Sequence, residues 1–306
     1  MVKKATPSWS VAVFAARESL EVLLITLDAI LVAIKRPATV NLLINGNETL
    51  ATNLNAALME KSITNALVEI RIWIIEIGDK ACAWNQYIQH IWNSGELAFF
   101  VDGYARPNPS SFVLLENAMT SSGQISAATG LPSTGRTAKP LGKMMLATHG
   151  LHGNLYCISP AIMQHMKSSG FHLPAGIYRT DSTLGAAIKF CFDPANNEWN
   201  DSRVFVHPEV TWTTPEKHWW RFSDIKSQLK RQLRQAQGDL ENRAVRNHLQ
   251  VCKRRAESLP ATALELVETW VIACPDEAAS ALCNPLHRHA WKNLKTMVDW
   301  SKSAIP

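Results

Sequence analysis

The sequence lacks the cysteine pattern of a zinc site or of a disulfide-stabilised secreted domain. Its 306 residues contain six cysteines, none in a CxxC pair, scattered as Cys82, Cys157, Cys191, Cys252, Cys274 and Cys283. Apolar runs are also short, because none approaches the roughly 20 residues that a membrane-spanning helix needs. The basic amino terminus holds only about seven apolar residues before Arg17, which is short for a secretory signal. We therefore expect a cytoplasmic protein with reduced thiols.

Two phosphate-binding motifs are also missing. Neither GxGxxG nor GxxxxGK[ST] occurs, which argues against a standard dinucleotide fold or a P-loop enzyme. Hydrophobic residues make up 46% and charged residues 19%, and the mean hydropathy is −0.08, values typical of a globular protein.

The net charge of +5 is unevenly spread, since many basic residues fall between residues 217 and 255 on a predicted helix. Such a helix can meet phosphates, an anionic membrane surface or nucleic acid, or can simply be solvated. Aromatic residues are not interleaved with its basic residues, so no nucleic-acid partner is expected. Peripheral contact with the inner face of a membrane through the basic carboxyl-terminal helices stays open.

Short apolar strands alternate with helices in the first hundred residues. The strands are predicted over residues 10–15, 40–44, 70–75 and 97–102. Each of the first three is followed by turn residues and a helix, and the fourth by turn residues. This alternation predicts an α/β fold with a mostly parallel, doubly wound sheet and right-handed crossovers.

The later chain is more varied. Residues 121–143 are rich in Ser, Thr, Gly and Pro, which predicts a long mobile loop. A strand and a helix are predicted over 153–166, and a last strand over 202–212. Thr180 and its neighbours predict an N-cap that places Asp181 at the amino terminus of a helix. Beyond residue 222 the chain is predicted to be helical.

The stretch LAFFVDGYARPNP, residues 97–109, delivers Asp102 to the exposed end of a buried strand. The carboxyl ends of strands in α/β proteins are where ligands bind, so Asp102 is a candidate for holding a metal ion or a sugar hydroxyl. An aspartate that ends a strand and caps the next turn explains the same pattern, and the stretch alone does not separate the two readings.

Five segments in order resemble a family-2 type glycosyltransferase with the GT-A fold. They are VAVFAARESLEVLL, INGNET, GDKACAWN, LAFFVDGYARP and YRTDSTLGAAI, and the resemblance covers roughly residues 10–235. It implies a GT-A-like, Rossmann-type mixed and mostly parallel sheet flanked by helices, with a helical C-terminal extension. The implied domains are a catalytic domain over 1–222 and a helical region over 223–306. Within the first, residues 10–110 would bind the nucleotide-sugar and 111–222 the acceptor.

The resemblance also implies roles for individual residues. The donor-binding positions would be Ala15, Arg17, Glu18, Asn45, Lys80 and Asp102. Asp181 would be the catalytic base that deprotonates the acceptor hydroxyl, and Asp102 would bind Mg²⁺ or Mn²⁺, which neutralises the departing diphosphate. A single displacement of this kind inverts the anomeric configuration.

The sequence departs from the family pattern at the metal motif. Tyr104 replaces the second acid of Asp-x-Asp, which leaves one carboxylate and a weaker cation site. His207 or His218 is a candidate for a further metal ligand, although each is more often a surface or packed histidine.

Other departures fall on the acceptor side. Thr180 replaces the usual Glu before Asp181, and Trp219 and Trp220 are candidates for stacking on a sugar ring, for which core packing is the alternative.

The resulting functional prediction is an inverting glycosyltransferase. It would move a sugar from a nucleotide-diphosphate donor, a UDP-sugar, to a hydroxyl acceptor in polysaccharide, glycolipid or natural-product glycoside synthesis. Two alternatives remain: a sugar-phosphate nucleotidyltransferase, which would release pyrophosphate, and a non-catalytic nucleotide-sugar-binding protein on a degenerate GT-A scaffold, which would release neither product.

Overall fold

The computed structural model describes residues 9–60, 65–215 and 222–296. His218, Trp219 and Trp220, three of the predicted site residues, lie outside the described residues. All six cysteines are free thiols.

Eight strands form one mixed sheet. Their bounds are β1 Trp9–Ala15, β2 Ala38–Asn45, β3 Val68–Ile75, β4 Leu97–Asp102, β5 Arg106–Pro107, β6 Ala127–Pro132, β7 Leu155–Ile158 and β8 Val204–Thr213. The strand order is β3-β2-β1-β4-β7-β6-β8-β5. The first four strands in this order are parallel, β6 is parallel to β8, and β7 runs antiparallel to both β4 and β6.

Eleven α-helices lie in the described part of the chain. They are α1 Leu20–Ala33, α2 Glu48–Glu60, α3 Lys80–Gln86, α4 Ser111–Ser121, α5 Ala138–Thr148, α6 Pro160–Ser169, α7 Thr180–Lys189, α8 Phe222–Arg246, α9 Ala263–Ala273, α10 Pro275–Leu282 and α11 Pro285–Thr296. A π-helical turn, Tyr87–Ile91, continues α3, and a second, Asn247–Val251, continues α8. Across these helices, no stretch of the described chain is both long and apolar enough to cross a bilayer.

The central strands β1 and β4 are buried on both faces, which explains why their sequences are continuous apolar runs. On one face Val11, Val13 and Phe99 pack into a core shared with apolar residues of α1, α2 and α4. On the other face the ring of Phe100 stacks on that of Tyr156 at a centroid distance of 4.6 Å. The ring of Trp84, from α3, lies 6.0 Å from Phe100 on this same face.

The predicted fold class, a mixed, mostly parallel sheet flanked by helices with a helical C-terminal region, is confirmed. The predicted mobile loop over 121–143 is wrong, because β6 and the start of α5 lie in it. A Cβ atom on Gly130 would lie 2.4 Å from Val210 Cγ1 and 2.5 Å from Val210 O, so β6 needs a glycine to approach β8. The small-residue composition that indicated a loop thus reflects close strand packing.

The chain divides into two compact units. Unit 1 is Met1–Ser169 with Asn200–Glu216 and contains the whole sheet; unit 2 is Gly170–Trp199 with Lys217–Pro306 and contains α7 to α11. In unit 2 the two segments are joined by backbone hydrogen bonds from Ala175 N to Ala261 O (2.8 Å) and from Ala263 N to Ala175 O (2.9 Å). The domain boundary at residue 222 stays a prediction. In the structure, α7 belongs to the same compact unit as the carboxyl-terminal helices.

Candidate functional site

The carboxyl ends of β1 and β4 meet closely in unit 1. Gly103 N donates to Phe14 O at 2.8 Å, and a Cβ atom on Gly103 would lie 2.9 Å from both Phe14 O and Ala15 Cβ. Any side chain at position 103 would therefore force the two strand ends apart. This contact fixes the position of Asp102, the last residue of β4.

Three polar groups surround the Asp102 carboxylate. Lys80 Nζ donates to Oδ1 at 2.5 Å, and Tyr104 Oη donates to Oδ2 at 3.1 Å. The amide of Asn154 satisfies its neighbours when its nitrogen faces Asp102: Nδ2 then donates to Oδ2 at 3.0 Å, and Oδ1 accepts from Trp212 Nε1 at 2.9 Å. Both carboxylate oxygens are thus engaged by hydrogen-bond donors.

Lys80 is placed by the turn that follows β3. Asp79 caps α3 by accepting the backbone N–H of Cys82 at 2.9 Å, so Lys80 is the first residue of that helix. The turn is held to the end of β2, because a Cβ atom on Gly46 would lie only 2.7 Å from Gly78 Cα. The Lys80 ammonium also lies 5.7 Å from the centroid of the Phe14 ring.

The loop after β1 is ordered by Glu18, whose Oε2 accepts the backbone N–H groups of Ala16 (2.7 Å) and Arg17 (2.9 Å). Asn47 reaches the same loop and donates to Ala16 O at 2.8 Å. The Arg17 side chain is exposed. Glu18 therefore shapes the loop, and Asn47 is a further contributor that the sequence interpretation missed.

The ends of three parallel strands carry the remaining donor-binding candidates. Ala15 ends β1, Asn45 ends β2 and Asp102 ends β4, so all three lie at the carboxyl edge of the sheet. The Asn45 side chain is buried, and among the residues that the structure describes its Oδ1 has no hydrogen-bond partner. The structure brings Lys80 and Asp102 into direct contact, and it places Asn45 and Ala15 on the strand ends beside them.

These residues do not fit a magnesium or manganese ion. Such an ion needs oxygen ligands, and the Asp102 carboxylate is already paired with the Lys80 ammonium, while Glu18 Oε2 accepts two backbone N–H groups. Nowhere in residues 9–60, 65–215 and 222–296 do three or more His, Cys, Asp or Glu side chains gather into a metal-binding group. The Nδ1 atom of His207 accepts the backbone N–H of Glu209 at 3.2 Å, and its ring packs edge-on against Phe205. No step of the reaction proposed below passes through a metal ion.

Asn154 and Trp212 were missed by the sequence interpretation. The β4–β7 ladder is antiparallel with Val101 opposite Leu155, so residue 154 lies beside Asp102, and Asp102 N donates to Asn154 O at 3.2 Å. The ring of His152 packs on Trp212 at a centroid distance of 5.0 Å. The available signal was the polar His-Gly-Asn run before β7, which gains meaning only once the strand pairing is known.

In unit 2, Asp181 lies in the first turn of α7, as predicted. Its Oδ1 accepts the backbone N–H of Ser182 at 2.9 Å, and its side chain is half-buried. The predicted N-cap at Thr180 is wrong: the N-cap is Arg179, without a side-chain cap, and Thr180 is a buried helical residue.

A buried carboxylate holds the segment just before Asp181. Glu241 of α8 accepts the backbone N–H of Tyr178 (3.0 and 2.9 Å) and of Arg179 (3.1 Å), and the side-chain amide of Gln237 (2.7 Å). Burial raises the pKa of Glu241 to about 7, although these hydrogen bonds and the charge of Arg179 oppose the rise. The sequence interpretation missed Glu241, which is one of three acidic residues in a helix with more basic than acidic residues.

Replacing Gly103 by alanine is expected to destabilise the protein by about 1 to 3 kcal/mol, because the added Cβ atom overlaps Phe14 O and Ala15 Cβ. The measurement is the free energy of unfolding from urea titration. Gly123→Ala is the matched control, since a Cβ atom there meets nothing within 4 Å. Equal stabilities of the two variants would contradict the close approach of β1 and β4.

Comparison with models of protein families finds no match, and neither does comparison with curated proteins. Among solved structures, the chain is similar to the mannosyltransferase PcManGT from Pyrobaculum calidifontis, in complex with GDP-Man and Mn²⁺. The TM-score is 0.57 at 13% identity, over 97% of this chain and 89% of that one. TarS from S. aureus, in complex with UDP-GlcNAc, matches 94% of this chain and 90% of that one at 10% identity and a TM-score of 0.45. The first similarity shows the fold, and the protein therefore has a GT-A-like fold.

Proposed function

We propose that the protein is an inverting glycosyltransferase that moves a sugar from a nucleotide-diphosphate donor, a UDP-sugar, to a hydroxyl acceptor. The observation that carries this proposal is the pairing of Lys80 with Asp102 at the carboxyl edge of a GT-A-like sheet. Ligands of open α/β sheets bind at this edge, and an ammonium there suits the diphosphate of a nucleotide-sugar. That the mannosyltransferase of similar fold was solved with GDP-Man supports a donor of this class.

The donor-binding residues of this proposal lie in unit 1. Ala15, Arg17, Glu18 and Asn45 surround the nucleotide, with Glu18 holding the loop after β1 in shape. Lys80 contacts the diphosphate while Asp102 holds the ammonium in position. The role proposed for each residue is to bind and orient the donor.

The proposed base, Asp181, lies in the first turn of α7, in unit 2. The Asp181 carboxylate takes the proton of the acceptor hydroxyl while the oxygen attacks the anomeric carbon. The bond from that carbon to the diphosphate breaks, and the leaving diphosphate keeps the electron pair. Attack and departure occur on opposite faces of the sugar, so the anomeric configuration inverts. The acceptor belongs to polysaccharide, glycolipid or natural-product glycoside synthesis in this proposal.

The departure at Tyr104 favours one rival, a non-catalytic nucleotide-sugar-binding protein, because the tyrosine hydroxyl occupies the carboxylate that a metal ion would need. The products separate this rival from the transferase and from a nucleotidyltransferase. A transferase releases a nucleoside diphosphate from its donor, a nucleotidyltransferase releases pyrophosphate, and a binding protein releases neither.

Calorimetric titration of the full chain with UDP, with GDP as the comparison, tests the proposed function. Binding of UDP more tightly than GDP supports a UDP-sugar donor, and product analysis with a set of UDP-sugars then identifies the reaction. Absence of binding by both nucleotides, whether or not magnesium or manganese is added, would contradict the proposal.

A further inference from the structure

We propose that the Lys80 ammonium, held by Asp102, neutralises the donor diphosphate in place of a divalent cation, so that donor binding needs no metal ion. This inference rests on the proposed function, since it concerns the same diphosphate. It differs from the sequence expectation of Mg²⁺ or Mn²⁺ at Asp102, and it follows from how the carboxylate is used in the structure.

The charges of Lys80 and Asp102 favour binding of a diphosphate over binding of a divalent cation. The Lys80–Asp102 pair is neutral as a whole, with Nζ 2.5 Å from Oδ1. A divalent cation binding to Asp102 would either displace the ammonium or lie beside it as a like charge, and both cost free energy. A diphosphate that approaches from the side of Lys80, the more exposed partner of the pair, meets the positive charge of the ammonium first, which favours binding.

The Asp102 carboxylate has little capacity left to coordinate a metal ion. Oδ2 of Asp102 accepts from Tyr104 Oη and from the Asn154 amide, and Asn154 is itself fixed by Trp212. Tyr104 stands where the resemblance places a second carboxylate, and its hydroxyl donates to the first carboxylate rather than adding oxygen ligands. Tyr104 therefore lowers the number of metal ligands in two ways: it supplies no carboxylate, and its hydroxyl engages Oδ2 of Asp102.

The Lys80 ammonium is accessible to a phosphate group. Its side chain is 29% exposed, whereas that of Asp102 is 12% exposed, so the ammonium is the more accessible partner. Within the part of the chain that the structure describes, Nζ has two oxygen partners, Asp102 Oδ1 and, at 3.4 Å, Gly153 O. An ammonium has three N–H donors, which leaves one for a phosphate oxygen.

Glycosyl transfer in this proposal needs no metal ion to account for its bonds, protons and charges. The bond between the anomeric carbon and the diphosphate oxygen breaks, and the electron pair stays on that oxygen. Lys80 remains protonated and pairs with the new negative charge, while the proton of the acceptor hydroxyl goes to Asp181. The role of Asp102 is to position the ammonium, so it acts through Lys80.

The test is calorimetric titration of the full chain with UDP and with GDP, in EDTA and again with Mn²⁺ or Mg²⁺. The expected result is a Kd for the better nucleotide that changes less than about threefold when the cation is added, and Lys80→Met is expected to weaken binding by about tenfold. Lys80→Arg keeps the charge and is expected to retain part of the affinity. Lys143→Met, on the exposed face of α5, is the matched control and is expected to bind as the wild type does.

Tyr104→Asp provides a converse test, because it removes the donating hydroxyl and supplies a second carboxylate. Nucleotide binding by this variant is expected to become cation-dependent. The inference would be overturned if the wild-type protein bound nucleotide only with a cation. It would also be overturned if Lys80→Met, shown by thermal denaturation to be folded, bound nucleotide as the wild type does. Either result would leave the proposed function standing. Absence of binding under every condition would overturn both.

Discussion

Asp181→Asn is expected to bind nucleotide as tightly as the wild type and to turn over about 10²-fold more slowly, or slower still, because an amide cannot accept the acceptor proton. The start of α7 should survive, since the asparagine oxygen can still accept the Ser182 N–H that Asp181 Oδ1 accepts now. The two measurements are nucleotide affinity by calorimetry and release of UDP from a UDP-sugar in the presence of acceptor.

Asp276→Asn is the matched control for this substitution. Asp276 is also an acid in the first turn of a helix of unit 2, α10, and it is exposed. Its replacement removes the same favourable interaction with the amino end of a helix, typically about 0.3 to 1 kcal/mol, and is expected to leave turnover near the wild-type rate. Wild-type turnover by Asp181→Asn would exclude Asp181 from the mechanism.

Glu241→Gln is expected to remove a large part of the pH dependence of stability. Burial raises the pKa of Glu241 in the folded state to about 7 from its ordinary value of 4.5. The folded state therefore binds more protons than the unfolded state between these values. The stability from this group is complete below about pH 4.5 and is lost as the pH rises through about 7, up to roughly 3 kcal/mol. Glutamine does not titrate, so the variant should lack this loss.

Urea titration of the wild type and the variant at several pH values between about 5 and 8 measures the effect. The difference between their slopes isolates Glu241, because Glu96, whose pKa burial also raises, and His248, whose pKa burial lowers, are present in both proteins. Glu268→Gln, on the half-buried part of α9, is the control and should keep the wild-type slope. Parallel slopes for wild type and Glu241→Gln would show that Glu241 is ionised throughout.

Most of the parallel half of the sheet could be predicted from the sequence. Strands buried on both faces appear as short apolar runs, as β1, β2 and β4 do. The apolar residues of β3 also predicted a strand, although β3 lies at the edge of the sheet and none of its residues is buried. Asp102 was predicted as a site candidate from the strand that it ends, and Lys80 from the family resemblance of the segment GDKACAWN after β3. The physical cause is local: strand periodicity and turn composition are properties of neighbouring residues.

The rest of the site depends on contacts between distant parts of the chain. Asn154 reaches Asp102 because β7 pairs antiparallel with β4, and the sequence does not specify that partner. Glu241 supports Tyr178 from 63 residues away, and its burial within a basic helix runs against its residue type. The strand β6 was missed because its Gly130 suggested a loop. The glycine is needed there because Val210, which is distant in sequence, leaves no room for a side chain.

The discontinuity of unit 2 has a consequence for synthesis on the ribosome. Residues 170–199 emerge before residues 200–216, and the latter carry β8 back to the sheet of unit 1. At about 5 to 20 residues per second, α7 waits roughly 3 to 12 seconds for the glutamate of α8 that accepts the peptide N–H groups in front of Asp181. The sheet of unit 1 can therefore be complete while the segment bearing the proposed base is still without its support from Glu241.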